Sequence, residues 1–301
     1  MGHSHARSDV SRKLLIATVA TALFVVVELI AGLAANSLAL VGDAFHNFTD
    51  TLALVLALAA VRIERRPANP GKTYGYHRAG VLAAFINSGT LVAFTLYLFY
   101  EAAHRLREPH PVDSRAMLIV AAAAFLLNGT ITWWLHDDGR HDLNVRSAVL
   151  HMLGDAVSSV GIVIAALLIA RGGRPFWDPA MSILIGILIL WSSWGVLREA
   201  VNLLLEGTPS GIDPDDVTRA ILAVDGILGV HHLHIWGLGA ARRALSAHII
   251  VGDVPLKATG QLLACVNALL HDDYGIEHTT IQFELADCPE EDPFCLPGTS
   301  A

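Results

Sequence analysis

Apolar residues run in six long blocks through the first two thirds of the chain, about Leu14 to Ala35, Leu38 to Val61, Ala79 to Tyr100, Ala116 to Leu135, Leu143 to Ala170 and Pro179 to Leu197. An α-helix needs roughly 20 apolar residues to cross the hydrocarbon core of a bilayer, so the pattern predicts six membrane spans. An even number puts both chain ends on one side. The links differ in character: Ala34-Ala35-Asn36-Ser37 is minimal, whereas Arg62 to Arg78 and His136 to Asp142 are longer and polar. The first block follows a short polar segment, residues 1–13, and no small-residue cleavage site follows it, so it reads as a retained anchor and not a removable signal peptide.

After Glu206-Gly207-Thr208-Pro209 the pattern changes to that of a water-soluble sequence. Asp213, with Pro214 at a first helical turn, opens a helix that continues to Val224. Val230 to Leu238 and Ala244 to Val251 are rich in alternating apolar and β-branched residues and read as strands; Leu256 to Asp273 has a helical period; Thr279 to Leu285 is a third strand. The expected fold class is an α-helical membrane protein with six transmembrane helices, plus a C-terminal cytoplasmic α+β domain of order αββαβ. Its division is 1–13 for a cytoplasmic N-terminal segment, 14–205 for the transmembrane domain, 206–287 for the cytoplasmic domain and 288–301 for an irregular tail.

Charge sets the orientation. Arg7, Arg12 and Lys13 before the first span, Arg62, Arg65, Arg66, Lys72 and Arg78 in the second link, and Arg140 and Arg146 in the fourth are about twice as many as the basic residues of the opposite links, Arg105, Arg107, Arg115, Arg171 and Arg174. Both termini are therefore expected in the cytoplasm, and Trp133, Trp134, Trp177, Trp191, Trp194, Tyr97 and Tyr100 are expected near span ends as interfacial anchors. Composition agrees with membrane embedding: of 301 residues 53% are hydrophobic and only 16% charged. A formal net charge of −8, with no basic stripe, excludes a nucleic-acid partner. The three cysteines, Cys265, Cys288 and Cys295, suggest no disulfide framework and suit a reducing cytosol.

Fifteen histidines change the picture, because imidazole is the commonest metal ligand. Two of them open the same short pattern inside apolar spans, His46-x-x-x-Asp50 in the second and His151-x-x-x-Asp155 in the fifth. Residues four apart on a helix share a face, so each pattern aims one imidazole and one carboxylate in one direction. Two uncompensated aspartates at mid-membrane would cost roughly 5–7 kcal/mol even on lenient insertion scales. A divalent cation alternating with protons would compensate them. The two spans run in opposite directions, which sets His46 beside Asp155 and Asp50 beside His151. Mixed nitrogen and oxygen ligation suits zinc, with cobalt, cadmium and nickel next, whereas an all-oxygen set would favour magnesium, manganese or calcium. A hydrogen-bonded pair tying two helices together is the alternative for one such pattern; two copies about a hundred residues apart favour a site. Asp43 and Glu28 read as supporting partners, a carboxylate at the mouth of the site or interfacial charges.

The stretch from Ser37-Leu38-Ala39-Leu40 through Gly42-Asp43-Ala44-Phe45-His46-Asn47-Phe48-Thr49-Asp50, then Lys72-Thr73-Tyr74-Gly75-Tyr76-His77-Arg78, His151 to Asp155, and His231-His232-Leu233-His234-Ile235-Trp236 resemble the cation diffusion facilitator family, in its zinc-transporter branch. The resemblance covers the chain from the first span to Glu284. It implies a homodimeric metal/proton antiporter with a metallochaperone-like cytoplasmic domain, no catalytic residues, and zinc both as cargo and as an ion bound in that domain. The transport site falls on His46, Asp50, His151 and Asp155, the cytoplasmic site on His231, His248 and Glu284, and Cys288 and Cys295 resemble tail cysteines that complete a metal site in some members. A further site that some members carry after the second span is expected to be absent, since Ala68-Asn69-Pro70-Gly71 lacks its carboxylate and only His77 remains. The link between spans four and five, with His136 and His141 alone, should capture metal weakly. His231 and His232 fall on opposite faces of a strand, as do His231 and His234, so at most one subset can face a common ion. His271 and His278 are expected on the surface, and His3 and His5 in a disordered terminus instead of as extra ligands.

The reading is thus a carrier that exports a divalent metal from the cytoplasm in exchange for protons, in a bacterial inner membrane, with lipid, metal ions, protons and a second copy of the chain as its partners. Two alternatives stand beside it: a membrane-bound metal sensor without transport, and an intramembrane metalloenzyme, the latter disfavoured by the lack of a His-Glu-x-x-His motif and by four protein ligands filling every tetrahedral position.

Overall fold

The computed structural model describes residues 2–136, 143–239 and 242–285; Cys288, Cys295 and the tail lie outside the described residues. Six long helices come first: α1 (Gly2–Ala34), α2 (Leu38–Glu64), α3 (Ala79–Arg107), α4 (Ser114–Leu135), α5 (Leu143–Ala170) and α6 (Trp177–Leu204). All six are long and apolar enough to cross a membrane. They are followed by α7 (Pro214–Leu222), β1 (Ile227–Gly237), β2 (Arg243–Val251), α8 (Leu256–Tyr274) and β3 (Ile276–Glu284). Two compact units result: one holds the chain up to Val55 and Asn87–Gly195, the other Leu56–Ile86 and everything from Val196 onward, so that α2, α3 and α6 contribute to both.

In the first unit the outward faces carry exposed Leu23, Val27, Ile30, Ile119, Leu126 and Val157, a surface suited to lipid and not to water. Inside, Leu40, Leu91, Met117, Ile162, Ile185 and Ile189 form the main core, with Ala39, Ala121, Ala165 and Ala166 letting helix backbones approach. The helices overshoot the apolar blocks. α3 continues past Tyr100 to Arg107, steadied by Arg105 Nε on Glu101 Oε1 at 2.8 Å, one turn apart. Because α6 reaches Leu204, Trp191 stands near the middle of that helix and not at an end.

The α1–α2 link is held from several directions. Asn36 takes a left-handed conformation (φ 54°), and Ser37 N donates to Gly32 O at 2.9 Å, a Schellman ending that returns the chain at once. A Cβ on Gly32 would stand 3.0 Å from Leu40 Cβ, so this tight return needs glycine there. Asp178, fully buried on α6, then caps α2: its carboxylate accepts from Ser37 Oγ at 2.6 Å, Leu38 N at 2.7 Å and Ala39 N at 3.2 Å. Arg105 Nη1 donates to Asn36 O at 2.8 Å, and Asp113 N to Ala35 O at 2.9 Å.

The second unit contains the αββαβ segment. Asp213 caps α7 by accepting from Asp215 N at 3.0 Å, with Pro214 in the first turn, and α8 ends on the left-handed Gly275 (φ 62°). The sheet order is β1-β2-β3, β1 antiparallel to β2 and β2 parallel to β3. Val217 and Ile221 of α7 and Val266 and Leu270 of α8 pack with Leu233, Ile235, Leu245 and Ile249 in one core. Both β1 and β3 start three residues before the expected positions, at Ile227 and Ile276. In the link between α2 and α3, Arg78 Nη2 reaches Glu206 Oε1 at 3.2 Å and Gly237 O at 3.4 Å.

Candidate metal centres

The two intramembrane patterns meet. His46 and Asp50 lie one turn apart on α2, with Nε2 and Oδ2 3.6 Å apart; His151 and Asp155 do the same on α5, also at 3.6 Å. Across the helices Asp50 Oδ2 stands 3.2 Å from His151 Nε2, one of the two pairings expected from opposed helix directions; the other, His46 with Asp155, lies beyond the 4.0 Å of an ion pair. The His46 and His151 rings are 6.1 Å apart, and Asp155 interacts electrostatically with His151, His46 and Asp50. The contacts form a chain, His46 to Asp50 to His151 to Asp155, in which each neighbouring pair stands 3.2–3.6 Å apart. Asp155 Oδ2, Asp50 Oδ2 and His46 Nδ1 are buried without a hydrogen-bond partner. A cavity of about 400 Å³ reaches this cluster, lined by Asp50 and His151 at its inner end and by Leu14, Leu135 and Ser147 where α1 leaves its polar segment, α4 ends and α5 begins.

Glu28 and Asp43, read from sequence as supporting or interfacial charges, are 0% and 1% exposed. Neither is at an interface with water.

The second cluster is on the sheet. His231 Nε2 lies 2.9 Å from Glu284 Oε2, and His248 Nδ1 lies 2.9 Å from Glu284 Oε1, so one carboxylate joins two imidazoles from β1 and β2. Register explains it: His231 is paired with His248, and β3 runs parallel beside β2 to bring Glu284 opposite Ile250. His232 corrects the expectation of opposite faces. Between His231 and His234 the register slips by one residue, and His232 sits at φ 49°, a left-handed bulge in β1. Such a bulge re-aims side chains, and here it turns His232 onto the side of His231 and His248, with rings 5.2 and 4.7 Å away. The ligand atoms of His231, His232 and His248 all lie within 4.8 Å of one another, and the buried His231 Nδ1 has no partner. Partial burial works to raise the Glu284 carboxyl, but hydrogen bonds from Gln282 and His231 and the charges of His248 and His231 outweigh it and hold the carboxyl below its ordinary value.

The remaining histidines are elsewhere. His77 Nε2 is 3.1 Å from Arg242 Nη1, His278 stacks edge-on to Tyr74, and His271 pairs with its neighbour Asp272. The side chains of His3 and His5, and all of His141, lie outside the described residues.

Six spans followed by a small α/β domain define an integral membrane protein with a soluble C-terminal appendage. Residues 14–205 match the family described as the cation efflux transmembrane domain, and residues 209–286 that described as the cation efflux protein cytoplasmic domain. The chain is 40% identical to the zinc transporter ZitB of Escherichia coli, over 99% of this chain and 96% of that one. It is 38% identical to the metal cation efflux system protein CzcD of Cupriavidus metallidurans (97% and 92%) and 37% identical to a cadmium, cobalt and zinc/H(+)-K(+) antiporter of Bacillus subtilis (94% and 92%). The chain belongs to the cation efflux, or cation diffusion facilitator, family: it is a membrane transporter and not an enzyme.

Proposed function

We propose that this chain exports a divalent cation, zinc foremost and cadmium, cobalt or nickel next, from the cytoplasm in exchange for protons, with His46, Asp50, His151 and Asp155 as the transport site. The observation that carries the reading is the run of contacts His46–Asp50–His151–Asp155, at 3.6, 3.2 and 3.6 Å, which joins α2 to α5 inside apolar spans. Two imidazoles and two carboxylates match the borderline-soft character of zinc. Names borne by relatives, for zinc, cadmium and cobalt and for protons, support the same cargo.

Coupling follows from the ligands. Histidine binds metal neutral and aspartate binds it ionised, so each proton taken up at the site opposes the metal and each metal bound expels protons. The cavity that reaches Asp50 and His151 opens, in the proposed orientation, on the cytoplasmic half, which suits loading. Rocking of the bundle around the fixed cluster would then open the other half for release. A homodimer joined through residues 206–287 is supported by the match to the family's cytoplasmic domain, and bacterial relatives support an inner-membrane setting. His231, His232, His248 and Glu284 would bind zinc as it accumulates in the cytoplasm.

Purified protein in sealed vesicles tests the reading. Wild type should accumulate zinc when a pH gradient is imposed and move protons the opposite way, and Asp155→Ala should accumulate none. Zinc uptake by Asp155→Ala at the wild-type rate, or none by wild type, would overturn it.

A further inference from the structure

Glu28 on α1 and Asp43 on α2 lie outside the four-ligand cluster, yet no charged pair in the described bundle is more completely enclosed, at 0% and 1% exposure. Both carboxyl oxygens of Glu28 and Oδ2 of Asp43 lack any conventional donor. The two carboxyl groups face each other closely enough to hydrogen-bond, and the other charged group that acts on both is Asp155 on α5. A carboxylate can only accept, so two of them face to face in apolar surroundings attract only through a shared proton. Uncompensated carboxylates within a membrane span mark a functional site, and no cation is among the groups facing this pair.

Their position gives the proton a task. Asp43 precedes His46 by three residues, roughly 4.5 Å along α2, on the side away from the cavity that reaches Asp50 and His151. Glu28 likewise sits in the last third of α1, whereas the cavity is lined by its middle, Leu14 to Thr21. The pair thus lies on the far side of the cluster from the cavity that reaches Asp50 and His151, and is itself enclosed.

We propose that Glu28 and Asp43 form a proton-binding site that holds one proton between them while the four-ligand cluster is empty and releases it when a divalent ion fills the cluster. This rests on the transport reading above. The step is a proton transfer only: the carboxyl O–H bond breaks, the pair keeps both electrons and becomes two carboxylates facing the bound dication, and the proton passes to water. Discharge of the metal reverses it, so the pair supplies one exchanged proton in addition to those displaced from the ligands themselves.

Calorimetric zinc titration of the full chain in detergent, in buffers of different protonation enthalpy, counts protons released per zinc bound. Glu28→Gln, which carries its own fixed hydrogens, should release about one proton fewer per chain than wild type, and Asp43→Asn should do the same, while Glu28→Asp keeps the wild-type count. The cytoplasmic cluster is common to all variants and cancels in the difference. An unchanged count in both Glu28→Gln and Asp43→Asn, each verified as monodisperse, overturns the proposal. A wild type that binds no more zinc than Asp155→Ala overturns the transport reading instead, so the two failures are distinct.

Discussion

Replacement of His232 by asparagine separates its imidazole from its backbone. His232 occupies a left-handed conformation at φ 49°, which asparagine tolerates better than other non-glycine residues, so His232→Asn removes the ring and keeps the bulge. With the ligand atoms of His231, His232 and His248 within 4.8 Å of one another and Glu284 joined to two of the rings, His232 is the fourth member of a possible zinc shell. A closed structural zinc site is worth about 10–16 kcal/mol at neutral pH, so one ligand of four carries roughly 3–4 kcal/mol, or a 10²- to 10³-fold weaker Kd. Competition with a chromogenic chelator, in an Asp155→Ala background that silences the membrane cluster, reads the change. His232→Ala should lose as much affinity and melt below His232→Asn, because asparagine tolerates the left-handed region better than alanine does. If His232→Asn binds zinc within threefold of its parent, the bulge does not serve the metal.

Removing the Asp178 cap, as Asp178→Ala, leaves three donors of the α2 start unserved and should destabilise the protein by about 1–2 kcal/mol, a few degrees in the detergent melting midpoint; an unchanged midpoint would show that water serves them equally well. Glu284, whose carboxyl is held below its ordinary value, contributes stability that is present above the unfolded glutamate range and lost as pH falls through the lowered folded value. Acid unfolding of the cytoplasmic segment should therefore flatten in Glu284→Gln, and a variant profile that tracks wild type through that window would contradict the assignment.

Much of the site was legible from spacing because a helix converts spacing into direction. His46 and Asp50, and His151 and Asp155, share faces by the geometry of one turn, and opposed spans then dictated that Asp50 meets His151, as it does at 3.2 Å. The span ends were less legible. Hydrophobic blocks mark the lipid, but α3 and α6 run on through Glu101, Arg105 and Arg198, where helical hydrogen bonding and ion pairs continue after apolarity stops. His232 could not be read from period at all, since an extra residue in β1 breaks the alternation on which the argument about faces depended. Nothing in the local sequence marks that slip, and the left-handed position is taken by histidine instead of the glycine that would have signalled it. Glu28 was visible as a charge in an apolar span, but only packing shows that both of its oxygens are without donors.

The cap on α2 also bears on how the bundle is made. Its acceptor, Asp178, lies 141 residues downstream of Ser37, so α1 to α5 are synthesised before the group that fixes the start of α2 exists. Until α6 arrives, interfacial water must serve the first amides of the helix that bears His46 and Asp50, and the α1–α2 hairpin has no lock from that side. Nascent chains arrested short of Asp178 should expose the Ala35–Ser37 link to protease, and chains arrested after α6 should protect it. Insertion of α6 is then the event that commits the chain to its final register, and a mutation weakening that late contact would be seen first as turnover by membrane quality control, with the metal ligands themselves untouched.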